Sequence, residues 1–138
     1  LCGNGVIVDD AGRTDHPRVY ACGDVAFRPL PHYGRGGRLE SVHNAIEGGK
    51  IVAAAILDLA PPPLEAPWFW SDQYDLKLQT AGLWTGADAH VVRGDPASRR
   101  FAVFYLREGR LLAVDAVNSP AEYLIGRKLI AAGRQAAG

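Results

Sequence analysis

Apolar and polar positions follow a two-residue period in some stretches of the chain and a helical period in others. GVIVDD (5–10) reads as a strand, AGRTDHP as a turn region, and RVYACGD as a second strand in which Val19, Tyr20 and Ala21 are buried. From Asp24 to Arg38 proline, glycine and arginine dominate, which predicts a loop. Residues 39–59 then read as a helix. Leu39, Val42, Ile46, Ala53 and Ile56 form its apolar stripe, and Ala45 and Leu57 widen it. Two strands and a helix supply little core, since even a whole domain of ~60 residues buries only about 60% of its unfolded surface. This first piece, residues 1–60, therefore needs further polypeptide to pack against.

The pattern breaks at APPPLEAP. Consecutive prolines donate no backbone hydrogen bonds and favour extended chain, so residues 61–67 read as a linker. Beyond it, YDLKLQTAG (74–82) alternates with Leu76 and Leu78 on one face, and AHVVR (89–93) makes a short strand. RFAVFYLR (100–107) and RLLAVDAV (110–117) are joined by Glu108-Gly109, a two-residue hairpin signal. Ser119-Pro120-Ala121-Glu122 combines a capping box with proline at the first helical position. The helix that follows is expected to bury Ala121, Leu124, Ile125 and Leu129. Residues 68–138 thus predict an α+β module, an antiparallel sheet of about four to five strands with one packed helix.

Composition narrows the function classes. Fifteen Lys plus Arg balance fifteen Asp plus Glu, so the formal charge is zero and a nucleic-acid partner is disfavoured. Cys2 and Cys22 have neither CxxC spacing nor a disulfide framework, which reads as reduced thiols in a cytoplasmic protein. The longest apolar run, IVAAAIL (51–57), is too short to span a bilayer, and no signal peptide opens the chain. The 138 residues contain no methionine and open on Leu1-Cys2-Gly3, so the chain is expected to be a fragment.

Several chemistries find no support. His16, His32, His43 and His90 lack metal-ligand spacing, with each other or with the cysteines, and no metal site is assigned. There is no Gly-x-Ser-x-Gly and no P-loop. Gly34, Gly36 and Gly37 have arginines among them and do not form GxGxxG after a strand. The position that stands out is Asp24, directly after Cys22-Gly23. It reads either as a turn aspartate or as a carboxylate accepting hydrogen bonds from ligand hydroxyls, beside amides that face an anion.

Three segments taken together carry a resemblance that favours the second reading. GVIVDDAGRTDHPRVYACGDVA, RLESVHNAIEGGKIVAAAIL and PWFWSDQYDLKLQTAGL resemble the C-terminal portion of the single-flavin, NAD(P)H-dependent ferredoxin reductases, within the pyridine-nucleotide oxidoreductases. The similarity runs from Gly5 to about Lys128. It implies that residues 1–60 are a fragment of an α/β FAD-binding domain and that 68–138 form the reductase C-terminal domain. The upstream FAD- and NAD-binding segments would lie before Leu1. RVYACGDVA resembles the second FAD-binding motif, which implies that Asp24 holds the ribityl chain, that Gly23 permits close approach and that Val25 supplies an amide.

The same resemblance implies that the turn RLESVHNA points at the flavin, with Ser41, Val42 and His43 near its pyrimidine end. Some relatives carry tryptophan where Val42 stands, which implies a different contact with a stacked nicotinamide here. Trp70 inherits the role of flavin neighbour and Trp68 that of core residue; Asp72 and Gln73 would help fix the flavin edge. Asn44 receives no chemical role. Among Arg28, Arg35, Arg38 and Lys50, the implied function is a basic patch steering an acidic [2Fe–2S] ferredoxin, with Lys50 foremost. The activity implied is transfer of electrons from NAD(P)H through FAD to that ferredoxin, which serves an oxygenase, with no general acid or base in this chain. Two other readings stay open. The chain is an interaction or dimerisation module, a homodimer included, or it belongs to a related flavin reductase with another acceptor, such as rubredoxin or a nitrite reductase system.

Overall fold

The computed structural model describes residues 2–135; Leu1 and the last three residues of the expected C-terminal module lie outside them. The chain divides into two compact units, one ending at Leu64 and the other starting at Glu65. In the first, β1 (Cys2–Gly3), β2 (Gly5–Ile7), β3 (Ala26–Leu30) and β4 (Arg35–Gly37) form a four-stranded sheet in sequence order. β2 and β3 are parallel, with Val6 opposite Ala26, while the outer pairs are antiparallel. Helix α1 (Val42–Ile56) follows.

Three sequence expectations change here. The first strand stops at Ile7 because the Asp9 carboxylate accepts the N–H groups of Ala11 (2.9 Å) and Arg13 (2.8 Å) and turns the chain. Residues 18–21 are not a buried strand: Val19 is 48% exposed, and the only ladder contact there is a bridge between Arg13 and Tyr20. Local bonds take over, with the Thr14 N–H and hydroxyl both donating to the Val19 carbonyl at 3.0 Å. The stretch 24–38 is not a loop, since it holds β3 and β4. Asp24 accordingly precedes a strand rather than leaving one.

The second unit is an antiparallel sheet of five strands in the order β5-β6-β9-β8-β7. These are β5 (Trp68–Gln73), β6 (Leu76–Gly82), β7 (Ala89–Asp95), β8 (Arg100–Arg107) and β9 (Arg110–Val117). Helix α2 (Pro120–Gln135) packs on one face, which gives the α+β fold the alternation implied. The β8–β9 hairpin closes through Glu108 and Gly109 at φ 51° and 76°, the paired left-handed geometry that suits the twist of the flanking strands. The core lies between α2 and the sheet: Ala81, Ala102, Val114 and Ala116 from the strands, Tyr123 and Ile130 from the helix, and Ala66 before β5.

Both helices bury a different stripe from the one expected. In α1 the inward residues are Asn44, Gly48, Ile51 and Ala54, while Val42, Ile46 and Ile56 are 53–60% exposed. In α2 they are Tyr123, Gly126 and Ile130, while Leu124, Ile125 and Leu129 are 51–53% exposed. Successive helical residues differ by about 100°, so each stripe lies roughly one position away from the predicted one. A glycine decides the phase in each case. A Cβ on Gly126 would stand 2.4 Å from Val114 Cγ1, so only glycine lets α2 approach the sheet this closely. Gly126→Ala is expected to destabilise the protein by about 1–3 kcal/mol through overpacking; thermal unfolding checks it, and an unchanged midpoint would contradict this packing.

Candidate functional site

The site in the first unit begins at a short 3-10 turn, Gly23–Val25. Gly23 has φ 71°, in the left-handed region that glycine enters without a side-chain penalty. This reverses the chain just after Cys22 and leaves Asp24 and Val25 exposed. The Asp24 carboxylate has no hydrogen-bond or ion-pair partner among the described residues. Its backbone carbonyl is held instead, accepting from Arg38 Nη1 at 3.1 Å, while the other Arg38 amino group pairs with Glu40.

The turn rests against the start of α1. Ser41 is the N-cap, extended at φ −150°, and its hydroxyl accepts the Asn44 N–H at 3.2 Å. Gly48 is packed against the same turn, since a Cβ there would come 3.0 Å from Cys22 Cβ and 3.3 Å from the Gly23 nitrogen. The amino end of a 15-residue helix carries partial positive charge from its unpaired amides. Here that end lies beside an exposed carboxylate turn. Val42 is exposed and His43 half-buried at its first positions.

Asn44 joins these parts. It is 3% exposed and is the buried polar residue of the described structure. Its Nδ2 donates to the carbonyls of Leu39 (2.7 Å) and Gly23 (3.3 Å), and its Oδ1 accepts from Arg28 Nη1 at 3.3 Å. One side chain thus ties the turn, the segment before the helix, the helix itself and β3. Sequence reasoning gave Asn44 no role. The available signal was its place on the narrow face it shares with Gly48 and Ile51.

The expected site residues fall into distinct groups. Gly23, Asp24, Val25, Ser41, Val42 and His43 are brought together within the first unit, with Arg38 as a brace. Arg28 turns inward to Asn44 from β3; burial draws its guanidinium below the ordinary value, against the opposing influence of Asp10 and Glu47. Lys50 lies farther along α1 and pairs with Glu47 at 2.9 Å, while Arg35 is exposed on β4. Trp70 belongs to the second unit, on β5, 42% exposed and packed 5.5 Å from Trp68 between ring centroids. On the sheet face away from α2, burial pushes the Asp115 carboxyl up despite a hydrogen bond from Tyr105.

Residues 68–137 match the family described as Reductase C-terminal, and residues 1–49 match the family described as Pyridine nucleotide-disulphide oxidoreductase. The chain is 47% identical over 128 residues to the probable ferredoxin reductase CtmF of Castellaniella defragrans, covering 92% of this chain and 31% of that protein. It is 42% identical over 127 residues to putidaredoxin reductase CamA of Pseudomonas putida, covering 92% of this chain and 30% of that one. The crystal structure of the covalent putidaredoxin reductase–putidaredoxin complex superposes with a TM-score of 0.90 at 41% identity, over 94% of this chain and 31% of that one. The chain therefore spans about a third of the length of these relatives.

Replacing Asn44 by alanine would leave two carbonyls and a half-buried guanidinium without their partner. A buried polar group left unsatisfied costs about 1–3 kcal/mol, so Asn44→Ala is expected to lose at least that much stability in chemical denaturation. A loss too small to resolve would show that the turn and helix hold together without it.

Proposed function

The chain belongs to the reductase C-terminal family, and from that premise we propose that it is part of a cytoplasmic FAD-dependent ferredoxin–NAD(P)H reductase. In the whole protein, electrons pass from NAD(P)H through FAD to a [2Fe–2S] ferredoxin that supplies an oxygenase. The observation that carries this reading is the exposed, unpartnered Asp24 carboxylate on a turn braced against the amino end of α1. An aspartate with only a local structural task would turn back to cap neighbouring amides, as Asp9 does.

The residues present fit a flavin. Asp24 would accept hydrogen bonds from the ribityl hydroxyls, Gly23 keeps the backbone free of a side chain beside them, and Val25 offers a backbone amide. Ser41 fixes the helix start, and the amides of Val42 and His43 would there stabilise negative charge on the ring system. Bound FAD would supply the chemistry itself, taking a hydride and giving up single electrons, while the protein orients it. Trp70 is proposed as a flavin neighbour from the resemblance in PWFWSDQ.

Arg38 and Lys50 are proposed to steer an acidic partner, together with the inward-turned Arg28. The pairs to Glu40 and Glu47 do not oppose this, because each keeps one partner, Glu40 or Lys50, exposed to solvent, and ion pairs at the surface contribute about 0–1 kcal/mol. The relative solved as a covalent complex with putidaredoxin supports a protein acceptor. No helix among the described residues is long and apolar enough to cross a membrane.

In the whole reductase, Asp24→Ala is expected to weaken FAD binding about tenfold or more, since hydrogen bonds to a charged group contribute about 1.5–3 kcal/mol each. The flavin-to-protein absorbance ratio after gel filtration reads this out. Stoichiometric flavin in the variant would sink the assignment.

A further inference from the structure

The second unit holds an arrangement behind Trp70 that the flavin reading does not account for. Trp68 and Trp70 are two residues apart on β5, so both rings project from the same side of the strand. They lie 5.5 Å apart with their planes tilted by 35°. Trp68 also packs on the core cluster, and the Arg127 guanidinium carbon sits 5.5 Å from the centre of its ring. Arg127 in turn lies 5.9 Å from the Tyr123 ring centre, with Nη1 3.4 Å from the Tyr123 hydroxyl and Nη2 3.1 Å from Glu65 Oε2. Tyr123 is 5% exposed and stands one helical turn before Arg127 on α2.

We propose that Arg127 is a positioning residue: clamped between Trp68 and Tyr123 and tied to Glu65, it fixes the tilt of Trp68 and through it the orientation of Trp70. A surface arginine with one ion pair would wander, because such a pair is weak and screened by salt. Arg127 differs in touching two rings, a hydroxyl and a carboxylate together, and one of those rings is anchored in the core. Its planar guanidinium suits stacking in a way that a lysine ammonium does not. Rigidity therefore runs from the buried Tyr123, through Arg127, to Trp68 and then to the exposed Trp70. The functional weight of this clamp rests on the reading of Trp70 as a flavin neighbour, since an indole held at one tilt presents one face to its ligand.

The test uses a Trp84→Phe background, in which Trp68 and Trp70 are the remaining indoles of the chain's three tryptophans. The exciton couplet of this pair in circular dichroism reports their mutual orientation without any flavin. Arg127→Met is expected to cut the couplet to less than about half and to raise acrylamide quenching of the indole fluorescence, with Arg127→Lys intermediate. A couplet and quenching unchanged in a folded Arg127→Met protein would overturn the proposal. Should that variant fail to fold, Glu65→Gln, altered at an exposed position, is expected to lower the couplet partially, and no change there would overturn it equally. The same variants in the flavin-loaded reductase separate the two claims. A lost couplet with unaltered flavin absorption and fluorescence upholds the clamp and removes Trp70 from the flavin's side.

Discussion

The candidate site depends on a single buried amide. Asn44 lies inside the first turn of α1, where asparagine has no special helical preference, and it is retained there by what it joins. Its hydrogen bonds reach the Gly23 carbonyl, the Leu39 carbonyl and the Arg28 guanidinium, while its own N–H goes to the Ser41 hydroxyl. Each is worth about 1 kcal/mol net, yet leaving any of them unmade in a buried place costs more. The turn bearing Asp24 and the start of the helix are therefore coupled: neither moves without breaking bonds at Asn44. Arg38 adds a second brace from outside by holding the Asp24 carbonyl. The result is a carboxylate whose backbone is fixed while its side chain stays available.

Close backbone approach shapes both units in the same way. Gly48 lets α1 lie on the Cys22–Gly23 turn, and Gly126 lets α2 lie on Val114. The sheet beneath α2 is lined by Ala81, Ala102 and Ala116, small side chains that leave room for the helix and for Tyr123. Tyr123 then serves twice, as core and as the anchor of Arg127. Small residues at the contact set the distance, and the large ones are placed by it.

Much of the second unit was legible in the sequence because its strands alternate and one of its two-residue turns carries glycine: Glu108-Gly109 sits between two runs that pair as read, whereas Tyr74-Asp75, read as the start of a strand, is the turn between β5 and β6. The first unit was harder. β3 contains Arg28 and Pro29 and β4 is Arg35-Gly36-Gly37, so composition pointed to a loop where parallel pairing with β2 makes a strand. A short strand on a sheet takes its stability from neighbours that residue propensities do not contain. Both helices were legible from periodicity, but α1 spans Val42–Ile56 rather than 39–59, and the phase of neither helix followed. Two apolar stripes coexist on each helix, and the stripe that packs is the one with the glycine rather than the one with the larger side chains. Asp24 was singled out from its place after Gly23 and from resemblance, whereas Asn44 and Arg127 escaped because the contacts they make are with residues distant in sequence.

The Gly23–Val25 turn and the start of α1 are joined through Asn44 into one body, the one proposed to hold the flavin. Amide hydrogen exchange on the whole reductase, with and without FAD, tests it most directly. Exchange is expected to slow together at Gly23–Val25 and at Ser41–Ala45 when FAD binds. Protection of one segment without the other, or of neither, would contradict it.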